Sequence, residues 1–183
     1  MQTLKSTIPQ RLLRLACTAV CCAGLWSFHA QAEDAELKSI AILDFELIDD
    51  QRDLAPATVE YERLVTIRKQ LQQEFASNRL YRVVDLAPFA ELIRKHRSEQ
   101  RLHECNGCEL EIARAASADR VLVAWVQKVS NLILNFNIQI EDTATGAVLL
   151  NKSVDMRGNT DETWRRSVSY LVRSMVEKEQ GNR

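Results

Sequence analysis

The run Leu132–Glu141 (LILNFNIQIE) restricts the fold more than any other part of the chain. Apolar side chains recur at Leu132, Leu134, Phe136, Ile138 and Ile140. Asn135, Asn137, Gln139 and Glu141 fall between them, with Ile133 the one apolar intruder. A period of two marks a strand with one buried and one wet face, the pattern of an antiparallel sheet. The run lies within a longer stretch, Val121–Trp164. Val121–Val126 is apolar throughout and predicts a buried strand, with Trp125 inside it. Gln127–Asn131 reads as a tight polar turn. Asp142–Gly146 reads as a hairpin loop, with glycine where a left-handed residue is wanted. Val148, Leu150, Val154 and Met156 are expected to share one face of a third strand, with Lys152 at its exposed part.

The flanking segments alternate strand and helix. Lys38–Ile48 predicts a central strand, with Ile40 and Ile42 on one face and Ala41, Leu43, Phe45 and Leu47 on the other. Asp44 interrupts the first face. A carboxylate near the end of a central strand can line a ligand crevice, and it can equally cap the following loop. Asp49–Asp53 is expected to be a solvated acidic loop. Pro56 opens a helix whose core stripe is Leu64, Ile67, Leu71 and Phe75. Tyr81–Leu86 predicts a second strand, and Asp85 with Pro88 starts a further helix carrying Phe89, Leu92, Ile93 and His96 inward. Strand, helix, strand, helix implies a parallel pair. After the meander, Asn159 with Glu162 forms a capping box. The last helix buries Trp164, Val168, Leu171, Val172 and Met175, and its polar tail frays. The expected fold is a single α/β domain, a mixed sheet of about five strands with helices packed on it.

Residues 1–32 carry the marks of a cleaved signal peptide: basic Lys5, Arg11 and Arg14, an apolar core, and Ala30-Gln31-Ala32. The core is too short for a stable membrane span. Cys17, Cys21 and Cys22 precede the cleavage signal and lack a lipoprotein context, so a periplasmic domain over 33–183 is expected. Removing the three basic residues from 24 leaves 21 Lys+Arg against 25 Asp+Glu. That mild acidity, with no basic stripe, argues against nucleic acid as a partner.

Of five cysteines, Cys105 and Cys108 remain after processing. In an oxidising compartment they are expected to pair. A local bridge, with Gly107 supplying a permissive backbone, would fix the turn before a helix from Glu109 to about Ala118. A thiol–disulfide centre is the alternative, with Cys105 attacking; Glu104 and Glu109 oppose a thiolate there. A metal site would draw on Cys105, Cys108, His103 and His96, but one CxxC supplies two of the four ligands that a closed zinc site needs. Neither metal nor cofactor is expected. No serine nucleophile elbow is present, which disfavours a hydrolase.

The strings AILDFEL, Cys105-Asn-Gly-Cys108-Glu109, Trp125–Asn131 and Arg157–Asp161 with Trp164 resemble a family of predicted secreted bacterial proteins of unknown function. Members tend to be encoded near quinoprotein alcohol dehydrogenases. The resemblance therefore implies a periplasmic accessory role in alcohol oxidation. More distantly, AILDF followed by a helix and YRVVD is similar to the amino-terminal domain of TolB and related envelope-assembly proteins, a likeness of fold that transfers no function. The expected function is binding of an unidentified periplasmic protein or small ligand, without catalysis. The candidate recognition patch is Trp125, Lys128, Asn131, Arg157, Asn159, Asp161 and Trp164, gathered at one end of the meander. Arg157 is a fork donor suited to a carboxylate. The same residues would also serve as ordinary turn and cap residues.

Overall fold

The first strand is broken in two. The structure, a computed structural model, describes residues 37–49 and 58–181. The expected signal peptide, the domain start at residue 33, most of the acidic loop and the helix start at Pro56 lie outside them. β1 (Ser39–Ile42) and β2 (Glu46–Asp49) both run parallel to β4 (Arg120–Lys128) along the same edge. Ile42 pairs with Leu122 but Glu46 pairs with Trp125, so three residues face two across the ladder. This bulge accounts for six strands where about five were expected. It also reverses the expected faces. Beyond the extra residue, Phe45 and Leu47 join Ile40 and Ile42 on one face, while Ala41 and Leu43 stay on the other. A one-residue insertion flips every later side chain of a strand.

β3 (Arg82–Val83) pairs parallel with β1 and is shorter than the predicted Tyr81–Leu86. β5 (Ile133–Asp142) and β6 (Val148–Arg157) complete the antiparallel meander. The sheet order is β3-β1-β4-β5-β6, with β2 also on β4. Leu134, Phe136, Ile138 and Ile140 are fully buried, as the alternation predicts. Leu132 departs from the pattern and is 72% exposed, because the ladder begins one residue later and the turn holds it in solvent. In β6, Leu149 is the extra residue of a second bulge. Val148 is exposed there, whereas Leu150, Val154 and Met156 pack inward.

Helices cover both faces. α1 (Thr58–Ser77) buries the expected stripe and packs against α4 (Asp161–Gly181), which buries Trp164, Val168, Leu171, Val172 and Met175. α2 (Ala90–Glu99), entered through a single 3-10 turn at Ala87–Phe89, and α3 (Cys108–Ala115) cover the other face. Asp85 is not the N-cap of that turn; its carboxylate accepts the N–H of Ala87 (3.0 Å) one residue earlier in the chain than a cap. α2 carries Leu92, Ile93 and His96 and ends at Glu99. His96 is buried as its periodicity implies, with Nε2 3.2 Å from the Glu111 carboxylate.

Candidate functional site

The capping box of α4 is displaced by one residue, and that shift organises the site. Thr160, not Asn159, caps the helix: its hydroxyl accepts the N–H of Thr163 (3.3 Å), and the Thr163 hydroxyl accepts the N–H of Thr160 (3.1 Å). Asn159 is released to act elsewhere. Its Oδ1 accepts from Trp164 Nε1 (2.8 Å) and Arg63 Nη1 (2.9 Å). Its Nδ2 donates to Glu60 Oε1 (2.7 Å) and Asn131 Oδ1 (3.4 Å). A primary amide has two acceptor positions and two donor hydrogens, and all four are used.

The network continues through Lys128, which is 8% exposed. Its Nζ donates to Glu60 Oε1 (2.9 Å) and Asp49 Oδ2 (3.1 Å). Burial works against both charges, yet the Lys128 and Asn159 hydrogen bonds hold Glu60 below its ordinary range, and the two carboxylates hold Lys128 above its own. Arg63 closes the cluster. It donates from Nε to Asp161 (2.7 Å) and lies 5.9 Å over the Trp164 ring. Lys128, Asn131, Asn159, Asp161 and Trp164 are thus brought together, as the meander implied. Their polar groups are largely turned onto one another. Glu60 and Arg63 were missed in the sequence. Glu60 had a signal, since it continues the α1 core stripe one turn before Leu64.

The other two patch residues lie apart. Trp125 alternates with the buried Ala124 and Val126, so it emerges on the opposite face of the sheet. There it stacks on His103, with centroids 4.9 Å apart and planes at 21°. His103 is held by Glu46, which also accepts the N–H groups of Leu102 (2.9 Å) and His103 (3.0 Å), while its Oε2 bonds the His103 Nδ1. Burial raises the Glu46 pKa, but those bonds outweigh it and hold the carboxyl below its ordinary value of 4.5. A depressed carboxylate stabilises the fold above its unfolded pKa and loses that contribution as the pH falls through the folded value. Glu46→Gln is therefore expected to flatten the acid side of the stability profile. Urea unfolding midpoints measured from neutral pH downward would show parallel profiles for the two proteins if Glu46 were not a source of acid sensitivity.

Cys105 and Cys108 are joined, with Cα atoms 5.7 Å apart and Gly107 between them at φ 103°. Cys105, Cys108 and Glu109 place ligand atoms within 4.8 Å of one another. The two sulfurs are bonded to each other, however, and a disulfide offers no thiolate to a metal. That group includes neither His103 nor His96.

Arg157 is exposed at the end of β6. Among the described residues β6 pairs only with β5, so its outer side is a sheet edge. Between that edge and α4 runs a groove of about 580 Å³, lined by Val154, Met156, Arg157, Arg166 and Tyr170 among others.

These features define a mixed α/β domain with helices on both sheet faces, an internally satisfied polar cluster and an open edge. The chain belongs to the DUF3280 family, described as "Protein of unknown function (DUF2380)", whose profile matches residues 38–176. This agrees with the expected family of unknown function. No curated protein matches the chain. Among solved structures, the C-terminal domain of LpoB from Salmonella enterica is similar at 16% identity and TM-score 0.49, with 69% of this chain and 88% of that one covered. Lipoprotein GNA1162 from Neisseria meningitidis is similar at 16% identity and TM-score 0.47, covering 78% and 96%. TolB from Acinetobacter baumannii, the distant likeness expected from the strand strings, follows at 12% identity and TM-score 0.45; this chain covers 30% of its length. Among the described residues no helix is long and apolar enough to cross a membrane.

Proposed function

We propose that this protein is a non-enzymatic accessory protein of the bacterial envelope, acting in the periplasm by holding an extended segment of a partner protein along β6. The observation that carries the reading is the pairing of a ten-residue sheet edge with a groove beside it. An edge strand presents backbone N–H and C=O groups to an added strand, and pockets for alternate side chains supply selectivity. Arg157 on the groove favours an acidic residue in the partner, and Tyr170 with Val154 favours an apolar one; Arg166, also on the groove, is paired with Glu162. Patch residues Lys128 and Asn159 serve this surface indirectly, by fixing the turn that presents Arg157.

Gly158 donates its N–H to Leu132, on the β5 side. Alternation along the strand then turns the N–H of Ser153 and Asp155 outward. Ser153→Pro removes one outward donor and is tolerated on an edge. Capture from a periplasmic extract is expected to fall about tenfold or more for both Ser153→Pro and Arg157→Ala, the loss of one charge-assisted or edge hydrogen bond. Equal capture by wild type and both variants would remove β6 as the surface. The family resemblance supports a quinoprotein alcohol dehydrogenase as the partner.

A thiol–disulfide exchange role is the second reading. One observation favours it: Cys105 Sγ accepts N–H groups from Gln100 Nε2 (2.8 Å) and Cys108 (3.2 Å) at the start of α3, donors that would stabilise a thiolate after reduction.

A further inference from the structure

A second surface has no part in the β6 reading. The bulge between β1 and β2 places Asp44 at the carboxyl end of parallel strand β1, beside the end of β3. A cleft of about 960 Å³ opens there between α1 and α2. That volume suits a small molecule, and the carboxyl ends of parallel strands are where open α/β sheets take ligands. Val83, Leu86, Ala90 and Ile93 give the cleft an apolar wall. Its charged part is a pair of guanidinium groups from different helices. Arg97 of α2 donates to Asp44 Oδ2 (2.8 Å), and Arg68 of α1 lies 3.3 Å from Asp44 Oδ1. Arg94 is engaged at the exposed rim by Glu91, and Asp85 by the N–H of Ala87.

Each guanidinium carries five N–H donors; Asp44 accepts one from Arg97 and forms an ion pair with Arg68. Two cations therefore share a single carboxylate. We infer that the cleft is a binding site for a small amphipathic carboxylate, whose head pairs with Arg68 and Arg97 beside Asp44 while its apolar body lies on Val83, Leu86 and Ile93. A ligand carboxylate beside Asp44 would set two anions against Arg68 and Arg97, with the Asp85 carboxylate a further negative charge on the cleft wall. A phosphate dianion would place three negative charges against the same two groups, with Asp44 fixed among them, and is disfavoured by that repulsion. Asp44 itself shows the geometry in which the arginine pair accepts a carboxylate.

Octanoate and inorganic phosphate, titrated separately into the protein in a calorimeter, test the site. Saturable octanoate binding is expected, with no comparable phosphate response. Arg68→Gln and Arg97→Gln are each expected to weaken octanoate binding about tenfold or more, the value of a charge-assisted hydrogen bond. Arg97 is about half exposed, so its variant should fold normally, which a far-UV spectrum and thermal midpoint would verify. Ala90→Trp fills the cleft from an exposed position on α2, without altering the arginines, and should also abolish binding. Absence of saturable octanoate binding overturns the assignment. So does octanoate binding unchanged in Arg97→Gln and Ala90→Trp, which would mark diffuse adsorption. Arginine-dependent phosphate binding in place of octanoate would overturn the ligand class.

Discussion

Lys128→Met is expected to destabilise the protein by about 3–5 kcal/mol, the usual cost of removing one partner from a buried ion pair. The ammonium is shared by Glu60 and Asp49, and all three side chains are nearly enclosed. Taking it away leaves two carboxylates in a poorly solvated site, with Asn159 as the remaining side-chain donor to Glu60. The double variant Lys128→Met/Glu60→Gln should recover part of the loss, because one of the two stranded charges is then gone. Urea denaturation of the single and double variants measures both quantities. A single-variant loss below about 1 kcal/mol, the range of exposed pairs, would mean that the cluster is effectively solvated. The pH dependence has two limits of opposite sign. The Glu60 contribution is present above its ordinary value of 4.5 and is lost as the pH falls through the lower folded value. The Lys128 contribution is present below 10.5 and is lost as the pH rises through the higher folded value.

Trp164→Ala is expected to cost about 3–5 kcal/mol, through lost burial and the cavity left behind. Trp164 has 0% exposure and lies in the α1–α4 side of the core. Its Nε1 also supplies one of the two donors to Asn159 Oδ1, so the substitution loosens the polar cluster together with the core. Trp164→Phe keeps most of the apolar contact and loses that bond, at a cost on the order of 1 kcal/mol. Thermal unfolding separates the two cases, since each kcal/mol moves the midpoint by roughly 2–4 °C in a domain of this size. Equal midpoints for the two variants would show that the hydrogen bond to Asn159, rather than ring burial, holds this residue in place.

The readings that failed are those in which one residue more or less, or a partner far along the chain, decided the outcome. The β1 faces reversed at Asp44 because the bulge exists only where the strand meets β4. Asn159-x-x-Glu162 and Thr160-x-x-Thr163 are both plausible starts for α4. The choice fell to Thr160 because Asn159 is held by Glu60 and Arg63, at sequence separations of 99 and 96 residues. Trp125 and Trp164 are grouped in the sequence by their nearness to the polar turns at one end of the meander. β4 directs one to His103 on the far face, and α4 directs the other into the core. The Asp44 cleft is partly legible: the sequence places a carboxylate at the end of a central strand, but the arginines that meet it come from two helices.

Local periodicity alone determined the elements. The stripe Leu64-Ile67-Leu71-Phe75, the alternation Leu134–Ile140 and the stripe Trp164–Met175 are buried as read, because side-chain direction along a helix or strand follows from backbone geometry within a few residues. The turn at Gly107 and the Cys105–Cys108 pairing are local for the same reason. Only the tertiary structure decided which charges neutralise one another: Lys128 with Glu60 and Asp49, Asp44 with Arg68 and Arg97, Glu46 with His103. Those pairings depend on where separate elements meet in the packed fold. The cost of burying a charge then selects the arrangement in which each finds its partner.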